Sequence, residues 1–190
     1  LLGRSTVLNE LLVDSKGNFW LALDHGLYWL QASVDEKEIS QEKAKGKYIL
    51  KNIYINHIQF VGQKLLVGTS KDVYQYSLVS LKMEKKLNGF SVVSSYHDRV
   101  AHQIWLGTFH QGVLVLDDRT WNPVSMVDFG SLLKIPQIPV RSIIPYKNDA
   151  LLMAVDGAGI YAFDRVSKQT HLILDTEGRP GSVLKGNGLY

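Results

Sequence analysis

Four stretches of the chain repeat one pattern: Trp20-Leu21-Ala22-Leu23-Asp24-His25-Gly26-Leu27-Tyr28, Leu66-Val67-Gly68-Thr69-Ser70-Lys71-Asp72-Val73-Tyr74, Trp105-Leu106-Gly107-Thr108-Phe109-His110-Gln111-Gly112-Val113-Leu114 and Met153-Ala154-Val155-Asp156-Gly157-Ala158-Gly159-Ile160-Tyr161. Aligned on Trp20, Leu66, Trp105 and Met153, they stand 46, 39 and 48 residues apart. A unit of about 40–50 residues cannot bury its own apolar face, so stacked neighbours must cover it. Function is then expected on surfaces that several units build together.

Each unit reads as strands. Val7-Leu8-Asn9-Glu10-Leu11-Leu12-Val13 ends in Asp14-Ser15-Lys16-Gly17-Asn18, and Val140 to Tyr146 ends in Lys147-Asn148-Asp149. Asp, Asn and Gly suit tight hairpins, and the apolar runs that follow, such as Phe19 to Leu23 and Ala150 to Val155, are too short for helices. A second turn, Asp24-His25-Gly26 or Gly157-Ala158-Gly159, leads into an alternating strand. A polar turn then precedes a weaker fourth strand, around Pro123 to Phe129 and Gln169 to Leu174. Four antiparallel strands per unit define a propeller blade, so the expected fold is an all-β propeller of about four blades, with approximate limits 1–50, 51–95, 96–139 and 140–186.

The second unit departs most from the pattern. Its turn before the motif shrinks to Gly62-Gln63, and Asp72 stands where the others have Gly. Asp tolerates a left-handed backbone better than most residues, so the hairpin is expected to survive. The charged stretch Asp35 to Lys47 mixes signs around one large apolar residue, Ile39, and reads as a solvated excursion between strands of the first blade.

With 190 residues, 45% of them hydrophobic, the chain can bury a core, and no stretch reaches the ~20 apolar residues of a membrane helix. Leu2 to Leu8 opens a blade and Leu184 to Tyr190 looks like the opening of another, so the expectation is an arc of a larger ring. An uncovered apolar side on a terminal blade would favour self-association, into a homodimer for example. The net charge of +3 is spread without a basic cluster interleaved with aromatics, which argues against nucleic acid as a partner. The absence of cysteine excludes disulfides, thiolate metal sites and thiol catalysis.

The search for catalytic chemistry is negative. The six histidines, His25, His57, His97, His102, His110 and His171, show no metal-ligand spacing, and no nucleophile elbow, phosphate loop or calcium loop occurs. Neither a cofactor nor a metal is expected, and this segment does not read as an enzyme. Asp14 and Asp117-Asp118 read as turn caps. Trp20 and Trp105, inside apolar strands, read as packing between blades, and Tyr28, Tyr74 and Tyr161 recur as core or blade contacts. Trp29 faces the other side of its strand from Tyr28, and Trp121 reads as a packed edge rather than a sugar platform.

In a four-stranded blade the turn between strands two and three and the connection between blades share one end, the end where propeller ligands usually sit. Its contributors include Asp24, His25, Ser70, Lys71, Phe109, His110, Asp156 and Gly157, with Arg4 and Arg141 near the blade openings. His25, Lys71, Phe109, His110 and Arg141 are the candidate ligand-binding residues. Aromatic, hydrogen-bonding and Arg groups together suit a hydroxyl-rich or uronic-acid ligand, because Arg grips a carboxylate in two places.

The pattern of apolar strand, Asp-x-x-Gly-Asn turn, aromatic-Leu-Gly-Thr strand and x-x-Gly turn resembles the two-component regulator propeller repeat. Asp14 to Leu23 with Gly26-Leu27-Tyr28, and Ile104 to Thr108 with Gly112-Val113, match it best. The second unit lacks both the aromatic and the Gly, and the fourth has Met153-Ala154-Val155-Asp156 in place of Trp-Leu-Gly-Thr. The resemblance implies seven-bladed rings and the periplasmic sensor of an inner-membrane signalling protein. Such a sensor detects an oligosaccharide and passes the signal, through other blades and domains of the same protein, to a histidine kinase. Two alternatives stand beside it: a WD-repeat-like scaffold for protein partners, and a propeller-fold polysaccharide-processing enzyme.

Overall fold

The structure is a computed structural model that describes residues 6–31, 45–128, 138–147 and 149–175. Its strands are β1 (Leu8–Val13), β2 (Phe19–Leu23), β3 (Gly26–Leu30), β4 (Gly46–Lys51), β5 (Ile55–Val61), β6 (Lys64–Thr69), β7 (Asp72–Ser77), β8 (Met83–Asn88), β9 (Val92–Asp98), β10 (Gln103–Thr108), β11 (Val113–Asp117), β12 (Pro123–Val127), β13 (Val140–Pro145), β14 (Ala150–Val155), β15 (Gly159–Asp164) and β16 (Thr170–Leu174). They form four antiparallel four-stranded sheets, each made of consecutive strands, with no helix among the described residues. The all-β propeller fold read from the repeat is therefore the fold of the chain.

Local chemistry explains why these segments turn where they do. Gly62, at φ 59, takes the first central position of a two-residue β5–β6 loop, which a type II′ turn requires. The turns before β8, β12 and β16 repeat one device. Ser77 Oγ accepts the backbone N–H groups of Val79 and Ser80, Asp117 Oδ1 those of Arg119 and Thr120, and Asp164 Oδ1 those of Val166 and Ser167. Four residues past each cap the chain turns left-handed, at Leu81, Trp121 and Lys168. The Asp117 and Asp164 carboxyls are held below their ordinary pKa, chiefly by these backbone N–H bonds.

The chain divides into two compact units, Leu1–Phe90 and Ser91–Tyr190, each with two sheets. In the first unit Trp20, Ala22 and Leu27 of one sheet pack against Ile55, Ile58, Leu65 and Val67 of the next. In the second, Trp105, Val113 and Val115 pack against Val140, Ile143, Leu151, Met153 and Val155. The strand period of two sets this division, because alternate residues face the neighbouring blade. The opposite face of the first sheet exposes Leu11 and Val13, and the fourth sheet exposes Ile144 and Ile173.

Two expectations are corrected. Leu23, Thr69, Thr108 and Val155 pair with Leu8, Ile55, Val92 and Val140 at corresponding places, so the residue equivalent to Trp20, Leu66 and Trp105 is Leu152, and Met153 is one position on. A one-residue step reverses the face, and Met153 accordingly packs toward the third sheet. The third sheet begins at Val92, ahead of the expected limit between 95 and 96, because Val92 is already paired with Thr108. At Asp72 the hairpin survives without any left-handed residue, since Asp72 is absent from the positive-φ positions while Gly26, Gly112 and Gly159 occupy them. Most of the charged stretch, residues 35–44, lies outside the described residues, as do Arg4, Asn148, Phe129 and both chain ends.

Candidate functional site

The end of each blade that carries the β2–β3-type turn is built the same way four times. The residue after the second strand donates its N–H to the residue before the first: Asp24 to Val7, Ser70 to Tyr54, Phe109 to Ser91 and Asp156 to Pro139. Just inside that bond the first strand carries a bulge, and the register skips Asn9, Asn56, Val93 and Arg141. A bulge re-aims the extra side chain, so it delivers a variable residue to the same end in every blade. Where the motif ends in Thr, the hydroxyl closes the turn: Thr108 Oγ1 donates to the Gly112 carbonyl and accepts from Gln111 N–H, and Thr69 Oγ1 does the same with Asp72 O and Asp72 N–H. This turn-closing bond explains why both Thr side chains are buried.

In the second unit three candidates come together. The Arg141 guanidinium lies over the Phe109 ring at 5.4 Å from its centroid, and His110 meets the same ring edge-on at 4.8 Å. Arg141 Nε and Nη2 both donate to Asp156 Oδ2 at 3.1 Å. One carboxylate oxygen thus orders one side of the guanidinium fork. The other donors have no partner among the described residues, and the side chain is 34% exposed. A partly exposed Arg fixed by a ring and an acid is preorganised for a planar acceptor such as a carboxylate.

In the first unit His25 sits in a relay that sequence reasoning missed. Its Nδ1 is 2.5 Å from Asp24 Oδ1 and its Nε2 is 2.6 Å from the Tyr48 hydroxyl. With Nδ1 donating to Asp24, Nε2 of the neutral ring accepts the phenol proton. The bond from His25 holds the Asp24 carboxyl below the usual carboxylate range. Tyr48 in turn packs edge-on against Tyr28 at 5.0 Å, and Lys51 Nζ lies 5.6 Å from its ring centre. Tyr48 follows the charged stretch and belongs to no repeated motif, so no sequence signal pointed to it. Lys71 is exposed on the β6–β7 turn, and its carbonyl accepts from Gly89 N–H. His25 and Lys71 thus lie at the ends of two sheets of one unit, and Phe109, His110 and Arg141 at those of the other.

Trp121 and three further histidines have packing or partners of their own. Trp121 is 2% exposed, which fits the packed edge and leaves no face for a sugar. His57 meets Glu10, and both His97 and His102 meet Asp118. No group of three potential metal ligands occurs among the described residues.

No family model and no curated protein matches the sequence. Solved structures do match in fold. The extracellular domain of BT4673, a candidate one-component system from B. thetaiotaomicron, superposes with a TM-score of 0.70 at 17% identity, over 90% of this chain and 25% of that one. The extracellular domain of BT3049, a candidate hybrid two-component system from the same organism, gives 0.65 at 19% identity, over 90% of this chain and 23% of that one. The WD40 repeats of RRP9 give 0.68 at 12% identity, over 91% and 52%. The chain therefore spans about a quarter of the length of the two extracellular domains, and the likeness establishes the propeller fold.

Proposed function

We propose that this chain is part of the extracytoplasmic sensor of a two-component-type signalling protein, and that it binds an oligosaccharide bearing a carboxylate. Signal transfer to a histidine kinase, and a periplasmic location, belong to the same reading. The observation that carries it is the Phe109–Arg141–Asp156 cluster. The fork is ordered on one side and has no partner among the described residues on the other, at the blade end where each first strand carries its bulge. The fold shared with the extracellular domains of a candidate one-component and a candidate hybrid two-component system supports the setting.

Calorimetry with a panel of plant, algal and host glycans tests the site. Replacing Phe109 and Arg141 together by Ala should weaken binding by about 1–3 kcal/mol, the worth of a charge-assisted contact with its platform. The melting temperature should stay nearly constant, because both groups lie at turn or strand ends. Undiminished affinity in the double variant would move the site elsewhere.

A second reading, polysaccharide processing, rests on the Asp24–His25–Tyr48 relay, which aligns an acid, an imidazole and a phenol. Turnover of a glycan that disappears in both His25→Ala and Tyr48→Phe would favour it over sensing.

A further inference from the structure

Within the second unit, at the end of the strands opposite Phe109 and Arg141, a cleft of about 480 Å³ opens beside the β9–β10 turn. Its walls include Tyr96, Asp98, Gln103, Trp105, Arg165 and Lys168. That volume lies within the usual range of small-molecule sites. Three turns converge there through one side chain. Arg165 Nη1 pairs with Asp98, its Nη2 donates to Asp149 Oδ1 at 3.0 Å, and its Nε donates to the Asp149 carbonyl at 2.6 Å. Asp98 also caps its own turn, accepting the N–H groups of Val100 and Ala101.

The first unit shows what this arrangement displaces. Trp20 and Trp105 are equivalent, as are Asp14 and Asp98, because Leu12 pairs with Trp20 as Tyr96 pairs with Trp105. Asp14 Oδ2 accepts the indole N–H of Trp20 at 3.2 Å. Asp98 Oδ2 is instead taken by Arg165, and the buried indole N–H of Trp105 has no partner among the described residues. A buried donor left unsatisfied carries a free-energy penalty that an incoming acceptor removes.

We propose that this cleft binds an uncharged, hydroxyl-rich small molecule of one or two sugar rings, with a ligand oxygen completing the hydrogen bond of Trp105. The charges around the cleft balance, Asp98 and Asp149 against Arg165 and Lys168, so a net anion or cation gains nothing overall from them. Hydroxyl groups can use both kinds of wall, donating to carboxylates and accepting from N–H groups. The site is independent of the Phe109–Arg141 cluster, which lies at the other end of the same sheets.

Indole N–H resonances of the full chain, followed by NMR during titration with D-glucose, maltose, D-glucuronate and glycine to about 50 mM, test it at the weak affinities that small sugars show. The Trp105 resonance should shift saturably with glucose or maltose while that of Trp20 stays fixed. Ala101→Trp, which places a bulky ring on the lining of the cleft, should abolish the shift, and Trp105→Phe, followed through the backbone amide resonances of the β9–β10 turn, should weaken sugar binding about tenfold. The Phe109→Ala/Arg141→Ala variant should keep the shift, which separates this site from the one proposed above. No saturable shift with either neutral sugar, a larger shift with glucuronate or glycine, or a shift that survives Ala101→Trp would overturn the proposal.

Discussion

Trp20 and Trp105 occupy the same place in two blades, yet their surroundings differ in one partner. In the first unit Asp14 is a local device. It accepts the N–H groups of Lys16 and Asn18, the Asn18 amide and the Trp20 indole, so every interaction closes within one hairpin. In the second unit Asp98 caps its hairpin but spends its other oxygen on Arg165 from the next blade. The same residue type at the same position therefore stabilises a blade in one case and joins two blades in the other. The joint leaves a buried indole N–H beside a cleft, without a partner among the described residues. A repeat supplies the frame, and departures from local satisfaction within it mark the places free to acquire function.

The largest expected effect separates the two aspartates. Arg165→Met leaves Asp98, which is 4% exposed, as a buried charge without its ion pair, and should cost about 3–5 kcal/mol of stability in urea denaturation. Asp14→Ala removes a set of hydrogen bonds but strands no charge, and should cost less, about 1–3 kcal/mol. Equal losses, or a larger one for Asp14→Ala, would break the distinction between a local cap and an interblade joint.

A smaller effect concerns the indoles themselves. Both rings are buried, Trp20 at 0% and Trp105 at 3% exposure, so Trp→Phe removes similar packing from each. Trp20→Phe also deprives Asp14 of a donor, whereas Trp105→Phe deletes a donor with no partner among the described residues. Trp20→Phe should therefore be the more costly by about 1 kcal/mol. Identical denaturation midpoints would mean that the Trp105 N–H is satisfied after all.

Much of this frame was legible in the sequence because few residue types can occupy its turns. The Asp14-Ser15-Lys16-Gly17-Asn18 turn, the Gly after three of the four central motifs and the two strand tryptophans each had a physical reason for their place, and the sheets follow them. Legibility failed where the cues were missing. In Ala150-Leu151-Leu152-Met153-Ala154 every residue is apolar and none is aromatic or Gly, so pattern alone could not fix the register, and Met153 took the place of Leu152. At the site, Phe109 and His110 were readable as neighbours on one turn and Arg141 as a residue at the opening of the next blade. Their stacking depended on the bulge that skips Arg141, which no sequence pattern announced. Tyr48 was out of reach for another reason, since its link to His25 crosses a long connection of charged residues. The Asp98–Arg165 joint was hidden by distance: the partners lie 67 residues apart, and Asp98 looks like any other turn cap.

Acid titration of the two indole N–H resonances tests the central comparison most directly. Burial works to raise the Asp14 carboxyl, but the bonds from Asn18, Trp20 and Lys16 outweigh it and hold its pKa below the ordinary value. A carboxyl depressed in the folded state contributes stability above its unfolded pKa, and that contribution is lost as pH falls through the folded value. The Trp20 resonance should hold steady through mildly acidic pH and then move as Asp14 protonates below the usual carboxylate range. It should lose that step in Asp14→Asn. The Trp105 resonance should show no such step before the chain unfolds. Parallel movement of both indoles, or a Trp20 resonance indifferent to Asp14, would contradict the assignment of one capped and one open tryptophan.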